Sequence, residues 1–88
     1  MKIYAIYDKK GELMNPPFTQ QNNAMAIRQF QTLVNQPSQP AQTNILHDYA
    51  GDFSLYYLGE FDEKSCKFTQ EWPIVLLADA DELLTPAD

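Results

Sequence analysis

The chain has 88 residues, of which 44% are hydrophobic and 12% aromatic, and this predicts one small globular domain over residues 1–88 with a single modest core. Its net charge of −6 argues against a protein that coats nucleic acid nonspecifically, because phosphate binding is driven by lysine and arginine. One cysteine and one histidine exclude an intrachain disulfide, a cysteine-based zinc site and the usual catalytic triads, so we expect no enzymatic activity, no cofactor and no metal site. Since neither a membrane span nor a signal peptide is evident, we expect the chain to stay in the cytoplasm in which it is made.

The first predicted element is a strand over residues 2–7, where apolar residues alternate and β-forming residues are frequent. A tight turn follows over residues 8–11, in which Gly11 can adopt a positive φ. Residues 12–18 contain Pro16 and Pro17, which forbid a regular helix and favour an extended surface segment.

The second predicted element is the only long helix, with Asn22 or Asn23 as its N-cap. The helix ends before Pro37, and the polar, proline-containing residues 35–50 are predicted to form a flexible loop. Its apolar residues follow one another at spacings that form a single stripe: Ala26, Ile27, Phe30, Leu33 and Val34.

A second strand and a hairpin are predicted from the stretch GDFSLYYLGEFDEKS, residues 51–65. A return strand covers residues 67–72, Pro73 interrupts it, and a short C-terminal helix and tail cover residues 79–88. Within the second strand, alternate side chains are expected to face the core, namely Phe53, Leu55, Tyr57 and Phe61, which leaves Tyr56 and Leu58 on the other face.

The order of these elements predicts an α+β fold, a small three-stranded mixed sheet in the order β-α-β-β with one main helix and a short C-terminal strand or helix. A strand, a helix and a second strand imply a right-handed crossover with the two strands parallel. One helix covers only one face of such a sheet.

Four lysines are the candidate nucleic-acid-binding residues. If the first two strands are parallel, the turns that follow them lie at the same end of the sheet and form one basic tip, which would contact single-stranded DNA. The alternative is that the lysines are ordinary turn residues that protect sheet edges, offset by nearby acidic side chains. The four are Lys9, Lys10, Lys64 and Lys67.

A half-apolar sheet face is the second candidate site. Tyr4 and Ile6 beside Tyr56 and Leu58 would make a contiguous apolar patch, and a homodimer pairing these faces is the simplest partner. The alternative is that the C-terminal segment folds back and buries the patch within the monomer.

Several segments together resemble a known family. MKIYAIYD at the start, PPF followed by N-x-x-x-A-I-R-x-F, and GDFSLYYLGEFD resemble the small nonstructural proteins of gokushoviruses, tailless phages of the microvirus group with circular single-stranded DNA genomes. The resemblance covers most of residues 1–65, but this chain has Ser65-Cys66 where a glycine is expected to close the second turn.

The resemblance implies a function in the host cytoplasm. It implies a phage accessory protein in viral single-stranded DNA genome replication or packaging. The residue patterns add the expectations that this protein is non-enzymatic and that it contacts single-stranded DNA through the lysine-bearing turns. The alternative is a homodimeric interaction module that binds a phage or host replication protein without contact to nucleic acid.

Overall fold

The computed structural model describes residues 1–85 and contains one sheet packed against short helices. The longest helix is Asn23–Val34, and a single 3₁₀ turn, Ala50–Asp52, precedes the fourth strand. In chain order the elements are β1 (Lys2–Asp8), β2 (Leu13–Met14), β3 (Phe18–Gln20), α1 (Asn23–Val34), α2 (Ile45–Asp48), β4 (Phe53–Asp62), β5 (Lys67–Asp79) and α3 (Ala80–Leu83).

The sheet has five strands, and each described pairing is antiparallel. β1 lies between β4 on one side and β2 with β3 on the other, and β5 pairs with β4. The prediction of a three-stranded mixed sheet is therefore wrong, and so is the predicted parallel pairing of the first two long strands. Lys2 lies opposite Glu60 and Asp8 lies opposite Phe53, so β1 and β4 run in opposite directions.

The reason for the error lies in residues 12–18, which were expected to form an extended surface segment because of Pro16 and Pro17. The structure instead has β2 before these prolines and β3 after them, and both strands pair antiparallel with β1. The chain has thus reversed its direction before α1 begins. The helical crossover connects β3 to β4, two strands that run in the same direction on opposite sides of β1.

Helix α1 forms where the sequence predicts it. The side chain of Asn22 accepts a hydrogen bond from the backbone N–H of Met25 at 2.9 Å, which satisfies one of the free donors of the first turn. Three residues of the apolar stripe, Ala26, Phe30 and Val34, are fully buried. Asn35 is the C-cap of this helix, and its side-chain amide donates to the carbonyl of Leu83 at 3.0 Å, which links α1 to α3.

The core lies between the three helices and one face of the sheet. Leu46 of α2 and Leu83 of α3 pack against it beside the residues of α1. Its sheet side comes mainly from β1 and β4, which contribute Tyr4, Ile6, Phe53, Leu55 and Tyr57. We call the opposite side of the sheet the open face; it carries Ile3, Ala5, Tyr7, Ser54 and Tyr56.

A bulge in β4 changes which face the end of the strand presents. Tyr4 lies opposite Tyr57 but its neighbour Ile3 lies opposite Gly59, so Leu58 is an extra residue in β4. Gly59 therefore shares the face of Ile3 rather than that of Tyr57. Phe61, two residues further on, points to the open face, although simple alternation predicts that it faces the core.

The connection from α1 to β4 is held by side-chain hydrogen bonds of Asn44. The side-chain amide of Asn44 donates to the carbonyls of Leu33 at 2.8 Å and Gln36 at 2.7 Å, while its oxygen accepts from the N–H of Leu46 at 3.2 Å. The predicted flexible loop over residues 35–50 thus contains α2, and its flexibility stays a prediction. The predicted C-terminal helix corresponds to α3, and residues 86–88 of the predicted tail lie outside the described residues.

Candidate functional site

The four predicted DNA-binding lysines do not come together. Lys9 and Lys10 follow β1, whereas Lys64 and Lys67 follow β4. Because β1 and β4 are antiparallel, their following turns lie at opposite ends of the sheet, in a molecule 46 Å long. The structure therefore contains no basic tip formed by these residues.

Acidic side chains near the lysines also offset their positive charge. The Lys9 ammonium lies 3.4 Å from a carboxylate oxygen of Asp79, although this pair is partly exposed and screened by solvent. At the other end, Asp62 accepts a hydrogen bond from the backbone N–H of Lys64 at 3.0 Å, which lowers the pKa of its carboxyl group. The Asp62 carboxylate therefore keeps its negative charge beside Lys64 at neutral pH.

The predicted interface residues are divided between the two sides of the sheet. Tyr4 is fully buried in the core, where its hydroxyl donates to the side-chain oxygen of Asn23 at 2.8 Å and burial raises the pKa of its phenol. Ile6 is also in the core. Tyr56 lies on the open face, where its ring meets that of Tyr7 edge to face at 6.2 Å, and Leu58 is the bulge residue.

The four residues therefore do not form one surface. The prediction assumed that β1 and β4 are parallel, whereas the antiparallel register places Tyr4 opposite Tyr57 and Ala5 opposite Tyr56. The helices, including α3 of the C-terminal segment, cover Tyr4 and Ile6 within the monomer.

A cluster of three polar side chains, Lys9, Ser54 and Asp79, lies at the end of the sheet where β1 ends and β4 begins. The buried hydroxyl of Ser54 donates to a carboxylate oxygen of Asp79, which also receives the Lys9 ammonium. The hydrogen bond from Ser54 is the main cause that lowers the pKa of Asp79, with a smaller contribution from Lys9. A carboxylate with a lowered pKa is a weak base, and Ser54 is inaccessible to solvent, so the cluster links strands rather than activating a nucleophile.

The open face becomes strongly apolar beyond the bulge. The rings of Phe61 and Phe68, which lie opposite each other on β4 and β5, have their centres 4.9 Å apart. Together with Ile3, Pro17 and Phe18 they line a shallow groove on the surface.

Strand β5 forms one edge of the sheet, since within residues 1–85 it pairs with β4 alone. It carries two large aromatic side chains that solvent reaches almost freely: Phe68 is 73% exposed and Trp72 is 77% exposed. Val75 and Leu76 further along the strand are also exposed. We call the outer side of β5 from Lys67 to Trp72 the β5 edge.

The backbone of the β5 edge is available for pairing. The N–H and C=O of Phe61 both bond to Met1, on the β1 side of β4. Phe61 and Phe68 are therefore a pair without mutual main-chain hydrogen bonds, because residues of an antiparallel ladder bond to one side only. The N–H and C=O of Phe68, and of Gln70 two residues on, consequently point away from β4 to the free side.

Sequence analysis missed the β5 edge as a site because it predicted the return strand but assigned no function to its exposed residues. The available signal was that a terminal hairpin strand has one neighbour, so that its apolar residues have fewer ways to be buried. Two further findings concern residues 1–85: they hold no cluster of three or more potential metal ligands, and they include no helix long and apolar enough to cross a membrane.

Comparison with known proteins assigns the chain to a family. The family model described as Phage ORF5 protein matches residues 1–83. The chain belongs to the Phage ORF5 protein family. Protein ORF5 of Chlamydia phage 1 is 36% identical over 72 residues, an alignment that covers 77% of this chain and 70% of that protein. No solved structure matches the chain.

Membership of the Phage ORF5 family confirms the resemblance to small gokushovirus nonstructural proteins, because Chlamydia phage 1 is a gokushovirus. The chain is thus a phage accessory protein.

Proposed function

We propose that this Phage ORF5 protein is a non-enzymatic accessory protein that acts in viral single-stranded DNA genome replication or packaging through contacts with protein, made by the β5 edge. The observation that carries the proposal is the exposure of Phe68 and Trp72 on a strand with a free side. Aromatic residues of this kind dominate the binding energy of protein interfaces when a partner buries them. We expect this contact to form in the host cytoplasm.

The form of the β5 edge supports a strand-pairing partner. An edge strand presents unpaired N–H and C=O groups that a second strand can complete, and side chains on alternate faces then provide specificity. In this protein the outward N–H and C=O groups of Phe68 and Gln70 supply the first requirement. The exposed rings of Phe68 and Trp72 supply the second.

Charge favours protein over DNA as the partner. Proteins that bind single-stranded DNA combine stacking aromatic residues with a positively charged groove that follows the backbone. Around Phe68, the two lysines Lys64 and Lys67 are outnumbered by the acidic residues of the same hairpin, which are Glu60, Asp62, Glu63 and Glu71.

The test in the phage is a substitution at the β5 edge. Phe68→Asp should reduce the amount of single-stranded viral DNA relative to duplex viral DNA, or the yield of filled particles, in infected cells. Tyr49→Asp is the matched control, since Tyr49 is 61% exposed but lies next to α2, and this variant should behave as wild type. Normal DNA ratios and particle yields with Phe68→Asp would contradict the proposal.

A titration separates protein contact from DNA contact. Labelled single-stranded DNA at low salt should show no binding to the purified chain, and Lys10→Glu and Lys64→Glu should change nothing. Tight, salt-dependent binding that these substitutions weaken would restore the DNA-binding interpretation and overturn the preference for protein.

A further inference from the structure

The β5 edge has a charge pattern that is complementary to itself. Lys67 and Glu71 lie four residues apart, both exposed, on either side of Thr69. Two antiparallel copies of this strand related by a two-fold axis at Thr69 would place Lys67 of each copy opposite Glu71 of the other. Opposite charges that face each other across antiparallel strands stabilise the pairing, and like charges oppose it.

The backbone selects a small number of registers for such a pair. Phe68 and Gln70 are the residues whose N–H and C=O groups point outward, so main-chain bonds across the edge must join these residues. Pairing Phe68 with Gln70 of the second copy, and Gln70 with Phe68, satisfies this requirement and places the axis at Thr69. Moving the axis to Phe68 or Gln70 also joins outward groups, but it places Lys67 opposite Thr69 or Pro73 instead of Glu71.

We propose that the β5 edge binds a second copy of this chain, forming a continuous antiparallel sheet across a two-fold axis at Thr69. This proposal rests on the proposed function, because both take the β5 edge as the contact surface. The dimer proposal adds that the partner bound at this surface is a second copy of the chain. The outward backbone groups of Phe68 and Gln70 form the main-chain bonds, and the two Lys67–Glu71 pairs set the register.

The same register brings apolar groups together on the open face. Phe68 of one copy is the diagonal neighbour of Phe68 of the other, a separation that aromatic side chains can bridge. Each Phe68 already packs on Phe61 of its own chain, so the two ring pairs would form one cluster across the axis. The dimer thus buries part of the Phe68 ring, which is 73% exposed in the single chain.

Charge reversal tests the proposal through the molar mass in solution. The wild-type chain should show a concentration-dependent dimer by sedimentation equilibrium, and Lys67→Glu or Glu71→Lys should each weaken it by at least about tenfold. The double variant carrying Lys67→Glu and Glu71→Lys should recover the dimer, because each pair again joins opposite charges. Lys64→Glu, which makes the same charge change in the adjacent turn, should leave the dimer unchanged.

Three outcomes of that experiment would overturn the proposal: a monomeric wild-type chain, a dimer that neither reversal weakens, and a double variant that stays monomeric. Circular dichroism of each variant shows that it is folded, and the exposure of both residues makes loss of the fold an unexpected outcome.

Disulfide cross-linking tests the register. In a background with Cys66→Gly, which removes the only native thiol, Thr69→Cys should form an intermolecular disulfide, because directly opposed residues without main-chain bonds lie about 4.5 Å apart at their Cα atoms. Gln70→Cys should cross-link far less, since its own counterpart lies a further two residues along the strand. Preferential cross-linking of Gln70→Cys would overturn the axis at Thr69.

The failure of this proposal is distinguishable from failure of the proposed function. A monomeric wild-type chain, combined with loss of viral DNA or particles in Phe68→Asp phage, overturns the dimer but leaves the β5 edge as the functional surface. A dimer that responds to charge reversal, combined with normal growth of Phe68→Asp phage, supports the dimer and overturns the proposed function.

Discussion

Ser54 donates a hydrogen bond to Asp79 across the pairing of β4 and β5, and this links the buried part of the sheet to its edge strand. Ser54 is fully buried. Asp79 also receives the Lys9 ammonium at 3.4 Å and begins α3 as its N-cap residue. One carboxylate therefore connects the turn after β1, the start of β4 and the end of β5.

Ser54→Ala should lower the free energy of unfolding by about 1.5–3 kcal/mol, because it removes a hydrogen bond to a charged group at a buried position. Urea unfolding followed by circular dichroism measures the change. Thr43→Ala is the control, since it removes a hydroxyl group that is exposed, and it should change the stability by less than about 0.5 kcal/mol. Equal losses in the two variants would contradict the importance of the Ser54–Asp79 bond.

The pH dependence of stability should report the same bond. The pKa of Asp79 is lowered in the folded protein, first by the Ser54 hydroxyl and then by Lys9. Its contribution is therefore fully present above the ordinary pKa of an aspartate and is lost as the pH falls through the lowered folded value. In Ser54→Ala the folded pKa moves back towards its ordinary value, so the unfolding free energies of wild type and variant should converge in acid. Urea titrations from neutral to acidic pH measure this, and a constant difference would contradict it.

Gly59 is required where β4 approaches β5. Its φ is +152°, and a Cβ atom placed there would lie 2.1 Å from the carbonyl oxygen of Thr69. Gly59→Ala should therefore destabilise the protein by more than about 2 kcal/mol, since both the conformation and the contact oppose a side chain. Gly51→Ala is the control, because a Cβ atom at Gly51 meets no atom within 4 Å, and thermal unfolding should separate the two variants. If the Gly59→Ala protein is as stable as the Gly51→Ala protein, the prediction is wrong, and β5 can move away from β4 at Thr69 without loss of stability.

Cys66 lies in the turn between β4 and β5, where the family resemblance predicts a glycine at the position of Ser65 or Cys66. Its φ is +60°, in the left-handed region, and its N–H donates to the carbonyl of Asp62 at 2.8 Å. Cys66→Gly should therefore stabilise the protein by about 0.5–1 kcal/mol, because the conformation costs a non-glycine residue about 1–2 kcal/mol. Cys66→Val should have the opposite effect, since a β-branched residue tolerates this region poorly. Thermal unfolding in the presence of a reducing agent measures the stability of both variants. A Cys66→Gly protein that is less stable than wild type would contradict the left-handed conformation of Cys66.

Local patterns predicted the elements of this fold better than their arrangement. The strand at residues 2–7 and the helix with its Asn22 cap exist close to their predicted bounds. The hairpin after Phe53 also exists, but its return strand, which was predicted to be interrupted by Pro73, continues to Asp79. The predicted direction of β4 was wrong because the prediction treated the segment around Pro16 and Pro17 as unpaired. This segment contains β2 before the prolines and β3 after them, and both strands pair with β1. Proline is compatible with such an interrupted edge strand, so its presence alone does not exclude pairing.

The predicted grouping of the candidate site residues fails because of that one error in direction. Reversing β4 relative to β1 separates Lys9 from Lys64 and moves Tyr4 and Ile6 into the core. The bulge at Leu58 then places Phe61 on the open face, and strict alternation along the strand cannot reveal an extra residue. The β5 edge depends on strand order, which residue patterns determine only after the pairing directions are known.

The long-range register of β1 has a consequence for how this protein folds as it is synthesised. β1 pairs early with β2 and β3, which follow it closely, but its long neighbour β4 lies about fifty residues later, with Lys2 opposite Glu60. Closing a loop of that length costs entropy before the pairing returns any stability, which slows folding. The side of β1 that pairs with β4 therefore has no partner strand until most of the chain has been synthesised. We expect the folding rate to depend more on the β1–β4 pairing than on α1.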